Sequence, residues 1–257
     1  MSSGDPPPPP AVTPQPSDQE LAAQLLQIAR AMHGCTSPAQ AMKLLRQGRD
    51  CLGADAAIYV NYIRDDATLS SFQCLLACDP CWGVRYGDNC AATDTWLQYA
   101  MYNTRPIVAG ELDAVGEPDD AAHLAREHGF RSALLVPVAT TAAQSHVGML
   151  CLGSNDSHFF SREENTRIRT LARVFAMELA DWIHRHLRSE LMATARITQG
   201  DLDLLQHEQQ GHGSKVAAAM MNITPTAFDL RFHRLCRRLG TPDRKSAVRL
   251  AEIYGLI

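Results

Sequence analysis

The last sixty-one residues, Ile197 to Ile257, constrain this chain most, because start and stop signals bracket four short helical runs in them. Thr198 is placed as the N-cap of a helix running to about Gln209, with Leu202 and Leu205 on neighbouring turns and Gly211 and Gly213 as its stop. Ser214 opens a short Ala/Met helix that Asn222 closes. Thr224-Pro225 starts a third helix through Arg238, since a threonine oxygen takes an orphan N–H and proline belongs at the first helical position. Phe228, Phe232, Leu235 and Leu239 then share one face, while Arg231, Arg234, Arg237 and Arg238 lie elsewhere around the helix. Gly240 ends it, and Thr241-Pro242 is expected to cap a fourth helix through Tyr254. A helix, a three-residue turn, a basic helix and a supporting helix are the layout of a helix-turn-helix reader; a small helical bundle without DNA is the other reading.

The same stretch resembles the LuxR-type DNA-binding domain without a gap. The residues that carry the likeness are Ile197-Thr198, Leu204-Leu205, Gly211, Lys215, Ala218-Ala219, Ile223, Leu239-Gly240 and Ala247-Val248. The resemblance implies double-stranded DNA as partner, with Thr226, Asp229, Arg231 and Arg234 on the base-reading face and Lys215, Arg238 and Lys245 on phosphates. Ala227-Phe228-Asp229 stands where the family usually has Thr-Val-Lys. A carboxylate at Asp229 faces a phosphate wall badly, so it is either solvated or accepts from a cytosine amino group. Eight Lys/Arg against six Asp/Glu leave this stretch at only +2.

Net charge over the chain is −4, so the remainder carries −6 and is not the nucleic-acid or membrane surface. A length of 257 residues with 46% hydrophobic content fits two modest domains. No basic-plus-apolar leader and no eighteen-residue apolar run is found, so a cytoplasmic protein is expected, with its eight cysteines as reduced thiols. Pro6 to Pro10, Pro14 and Pro16 make residues 1–17 a solvated arm. Residues 18–186 form the expected first domain and 187–196 a polar linker.

Within that domain Ser17 to Glu20 matches a capping box before Leu21, Leu25, Ile28 and Met32, and Ser37-Pro38 starts a second helix ending near Gly53. Residues 57–64 and 71–78, separated by Asp65-Asp66, read as a hairpin, and residues 132–139 and 146–153 as a second pair of strands. Short helices are expected around Trp82 and Trp96 and from Asp119 to His128. Ser161 to Glu164 is expected to cap a long helix carrying Ile168, Leu171, Phe175, Leu179, Trp182 and Ile183. The fold class is therefore α+β: an α/β/α sandwich on an antiparallel sheet, followed by an all-α unit.

Residues 82–106 crowd Trp82, Tyr86, Trp96, Tyr99 and Tyr102 into twenty-one positions of a chain only 6% aromatic, as an apolar cleft with polar handles requires. Asp94 reads either as a helix N-cap or as a carboxylate accepting a ligand N–H. Cys78 and Cys81 form a C-x-x-C pair near Cys74 and Cys90, which could be a redox pair, but no second pair stands at zinc spacing, so no metal is assigned. No phosphate loop, nucleophile elbow or paired catalytic carboxylates occur, and neither enzyme activity nor a cofactor is expected.

Trp82, Tyr86, Asp94, Pro106-Ile107, Gly129-Phe130, Pro137 and Gly148 follow the order of the LuxR-family autoinducer-binding domain, a PAS/GAF-like fold, over roughly residues 20–185. The resemblance implies an acyl-homoserine lactone held by the Trp82 indole and the Asp94 carboxylate, with Tyr86 beside it. Cys78, Thr95, Ala109 and Cys151 depart from the family's tyrosine, proline, tryptophan and hydroxyl. Because S–H is a poor donor, another acylated or aromatic amphiphile remains an alternative, as does a filled core. Cys78, Trp96 and Cys151 complete the candidate pocket. The resemblance further implies a homodimer and a contact with RNA polymerase. A rival reading is a LuxR-like protein that has lost ligand or DNA and acts through mixed dimers.

Overall fold

The computed structural model describes residues 17–64, 70–83, 94–113, 120–138 and 146–257. The proline arm, the Asp65-Asp66 turn, Tyr86 and Cys90 lie outside them. Helix α1 (Asp18–His33) starts at the Ser17 capping box, and α2 (Pro38–Cys51) has Ser37 as N-cap and proline in its first turn. Strand β1 (Ala56–Arg64) pairs antiparallel with β2 (Ser70–Ala77), Tyr59 opposite Leu75. Then come α3 (Thr95–Tyr102), β3 (Ile107–Val108), α4 (Ala109–Asp113), α5 (Asp120–Glu127), β4 (Ser132–Val138) and β5 (His146–Ser154). The strands order as β2-β1-β5-β4-β3, with every pairing antiparallel.

Period-two alternation divides the sheet into two faces. Ala57, Tyr59, Ile63, Leu134, Val136, Leu150 and Leu152 point to a core closed by α1, α2 and the long helix α6 (Thr166–Thr194). Ile58, Val60, Leu135, Val147, Met149 and Cys151 point the other way, under α3 and α5. On the first side the helices pack closely. A Cβ on Gly48 of α2 would lie 2.3 Å from the Phe175 ring of α6, so only glycine lets the two helices meet there.

The expected cap of the long helix is displaced. Residues 159–161 and 163–165 form two 3-10 turns, and α6 begins only at Thr166, after Asn165, whose amide instead donates to the Phe159 carbonyl. The 187–196 stretch, expected as a polar linker, is helical as far as Thr194, so that α6 runs twenty-nine residues or about 43 Å. Ile168 through Leu187 belong to the sheet-side core, while Leu191, Met192 and Ala195 belong to the C-terminal one.

That C-terminal unit comprises α7 (Gln199–Gln209), α8 (Ser214–Met220), α9 (Pro225–Leu239) and α10 (Arg244–Ile253). Thr198 and Asp201 form a capping box at α7, Thr224 caps α9, and Gly240 closes α9 at φ 69°, which favours glycine. The fourth helix is capped by Asp243, accepting from the Ser246 N–H, rather than by Thr241-Pro242. Proline holds the residue before it extended, and the carboxylate one step later is the better cap. Phe228, Phe232, Leu235, Ala217, Ala218, Ala247 and Ala251 form the core. Burying each phenylalanine contributes roughly 2–3 kcal/mol before the entropy of ordering is set against it. Ile253 joins the sheet-side core, and Tyr254 packs against both.

Candidate functional site

The sheet face under α3 carries the predicted ligand-binding residues. Trp82, Trp96, Leu97, Phe130, Met149 and Cys151 are buried in one apolar layer, with Cys74, Leu76 and Cys78 at its β2 side. Trp96 and Phe130 meet at 6.3 Å between ring centroids. Asp94 is buried, and its Oδ1 accepts from the Trp96 N–H at 2.8 Å and the Leu97 N–H at 3.3 Å, which makes it the N-cap of α3. The cap role is therefore present. It fixes a carboxylate inside the aromatic layer, close enough to Cys151 to help hold that thiol protonated. Burial is the larger cause of that upward shift, with Cys78 adding to it. Cys78 is itself pushed up to about 11, first by burial, then by Asp79 and Cys74. Both thiols are weak donors at neutral pH and poor nucleophiles. Cys81 is exposed, outside the layer.

The indole N–H of Trp96 meets no hydrogen-bond acceptor although the residue is only 7% exposed. By contrast Trp182, on α6 across the sheet, donates its indole N–H to the Cys35 carbonyl at 3.0 Å. That opposite face also holds a polar chain. His184 Nε2 lies 2.8 Å from His146 Nδ1, and His146 Nε2 lies 2.5 Å from Asn61 Oδ1. Since Asn61 Oδ1 can only accept, His146 donates through Nε2 and accepts at Nδ1 from His184. Burial first, and His184 second, push the His146 pKa down to about 4.

In the C-terminal unit, residues of α9 sort by angle. At about 100° per residue, Leu230 lies opposite the buried Phe228, Phe232, Leu235 and Cys236, flanked by Thr226, His233, Arg234 and Arg237, all exposed. Leu230 itself is 51% exposed. Asp229 and Arg238 sit on the two flanks and are engaged within the protein. Asp229 accepts from Arg244 at 2.6 Å, and that bond, with one from Ser214, holds its carboxyl below the usual range. Arg244 also donates to Ser214 Oγ at 3.0 Å and lies 5.4 and 5.0 Å from the Phe228 and Phe232 ring centroids. Arg238 donates to the carbonyls of Ala195 (3.2 Å) and Arg196 (2.6 Å) at the end of α6 and pairs with Asp201. Arg231, Arg234, Arg237 and Arg238 line one shallow cleft with Asp201. Lys215 and Lys245 are exposed.

Among the described residues no group of three or more His, Cys, Asp or Glu is placed to hold a metal ion, and no helix is long and apolar enough to cross a membrane.

The GAF-domain family model matches residues 39–179, more than half the chain and all of the sheet. The chain belongs to the GAF-domain family. No curated protein matches the sequence. Among solved structures, SdiA from Escherichia coli superposes with a TM-score of 0.71 at 13% identity, over 91% of this chain and 98% of that one. SdiA in complex with octanoyl-rac-glycerol gives 0.66 at 14%, over 91% and 95%. CepR2 from Burkholderia cenocepacia, an N-acylhomoserine lactone dependent LuxR family transcription factor, gives 0.53 at 16%, over 66% and 98%. At such identities the likeness is one of fold: GAF-like sheet domain and four-helix unit in the same chain.

The GAF domain thus brings Trp82, Asp94, Trp96, Cys78 and Cys151 to one side of its sheet, and Tyr86 lies outside the described residues. Leu230, His233 and Arg237, which the sequence reading did not assign to the DNA face, share the outward strip of α9. A helical wheel centred on Phe228 and Phe232 finds all three.

Proposed function

We propose that this GAF-domain protein is a DNA-binding transcriptional regulator controlled by an acylated amphiphile held against the sheet face of Trp82, Asp94 and Trp96. The observation that carries the reading is the outward strip of α9. A helix packed by its phenylalanine face presents Thr226, Leu230, His233, Arg234 and Arg237 to solvent, with a cleft of arginines beside it. Those are the features of a helix that enters a major groove with cations on the flanking phosphates. The fold shared with SdiA and CepR2, and the amphiphile in one SdiA complex, support a small-molecule signal and DNA as the two partners.

The mechanism follows from α6. One rigid helix packs by residues 168–187 on the sheet and by residues 191–195 on the reading unit, so a change in how it sits on the sheet displaces the unit beyond. A ligand does this only by binding one arrangement more tightly than the other. Two chains would set two α9 helices about one DNA turn apart on a two-fold symmetric site, and an exposed flank of the bound dimer would meet RNA polymerase in the cytoplasm.

Selection of the full chain on random duplexes tests this: enrichment of a two-fold symmetric sequence whose affinity falls steeply with salt, and falls again in Arg234→Ala, is expected. Failure to enrich any sequence would favour the second reading, a partner of mixed dimers. That reading draws on Arg238, whose guanidinium is held by Asp201 and two carbonyls, which leaves α9 one free cation fewer than its sequence suggests.

A further inference from the structure

A buried N–H without an acceptor is costly, and native proteins keep few. Trp96 has one in the middle of the aromatic layer, 7% exposed, while Trp182 across the sheet has its carbonyl. The backbone of Trp96 is fixed at the first turn of α3 by the Asp94 cap at 2.8 Å, so its side chain is held in the layer. The described residues packed in the same layer are apolar or thiol (Leu97, Phe130, Leu135, Met149 and Cys151), and the one carboxylate there, Asp94, has its Oδ1 taken by the α3 N–H groups. A buried water needs two to four polar partners, which such a lining supplies poorly.

From this, and resting on the reading of the layer as a ligand site, we infer that the Trp96 indole N–H is a specificity-determining donor that pairs with a carbonyl oxygen of the ligand. The ligand is then an acyl ester or amide, with its chain along Ile58, Val60 and Met149 and its carbonyl at Trp96. This supplies the donor that Cys151 and Cys78 cannot, since their thiols are weak donors. It also ranks ligands by an atom rather than by chain length: an alkyl ether of the same length has no carbonyl and leaves the indole unpaired.

The test compares 1-octanoyl-glycerol with 1-octyl-glycerol ether on the full chain, by calorimetric titration. Wild type should prefer the ester by roughly tenfold, and Trp96→Phe, which keeps a six-membered aromatic ring and loses the N–H-bearing one, should bind both alike. A preference that persists in Trp96→Phe overturns the assignment of Trp96 while leaving the site in place. Failure of wild type to bind either amphiphile overturns this inference and the reading of the site together. Should Trp96→Phe not fold, the three indole N–H resonances of ¹⁵N-labelled wild type decide. The Trp96 signal should move downfield with the ester and not with the ether; equal movement with both refutes the pairing.

Discussion

Replacing Arg238 separates two roles for one residue. The sequence puts it on a DNA phosphate, whereas the structure has its guanidinium on the Ala195 and Arg196 carbonyls and on Asp201, at the junction between α6 and the C-terminal unit. Its side chain is 34% exposed and that of Asp201 11%, so the ion pair is only partly screened. Two bonds to carbonyls at about 0.5–1 kcal/mol each, and a charge-assisted bond at about 1.5, give a loss of about 2.5–3.5 kcal/mol for Arg238→Ala. Asp201 keeps its bonds from Thr198, so no orphaned charge is added. For a unit of this size that corresponds to a fall in Tm of roughly 10–20 °C. Thermal melts of Arg238→Ala, Asp201→Asn and the double variant should show coupling of about 1 kcal/mol or more. Additive effects, with unchanged melting and a DNA-binding salt slope reduced by about one, would mean that Arg238 faces phosphate and that the clamp does not hold in solution.

Three further outcomes follow. Gly48→Ala drives a methyl into the Phe175 ring and should cost roughly 1–3 kcal/mol in urea denaturation; an unchanged midpoint would mean that α2 and α6 are not in that contact. His146 has its native pKa depressed to about 4 from 6.5, so the unfolded chain takes up a proton first as pH falls. Stability should be full above pH 6.5 and decline by up to about 3 kcal/mol between pH 6.5 and 4, a slope that His146→Gln removes. Cys78, pushed up to about 11, should react with iodoacetamide at pH 7.5 far more slowly than exposed Cys81, and rapid joint oxidation of the two would revive the redox pair.

Much of the fold was legible where local chemistry decides it. The Ser17, Ser37, Thr198 and Thr224 caps, Gly240 at the end of α9, and both strand pairs stand where the sequence put them. What was not legible depended on partners distant in sequence. The start of α6 moved because the Asn165 side chain bonds to Phe159 and the intervening residues tighten into 3-10 turns. Residues 187–194 look polar enough for a linker, yet they remain helical because Leu191 and Met192 find a second core to pack on. In the layer under α3 the residue types were readable, but only the structure shows that Asp94 caps α3 while Trp96 carries the unmatched N–H. At α9 the arginines were counted correctly. Their pairings were not readable, since nothing in one sequence ties Asp229 to Arg244 or Arg238 to Asp201.

The most direct test of the central claim is fluorescence anisotropy on a selected duplex, at fixed salt, with and without saturating 1-octanoyl-glycerol or an acyl-homoserine lactone. If the layer under α3 controls the reading unit through α6, at least one of these ligands should change DNA affinity by about fivefold or more, and DNA should change that ligand's affinity by the same factor. Ligands that bind the sheet face and leave the DNA isotherm unmoved would contradict the coupling on which the account rests.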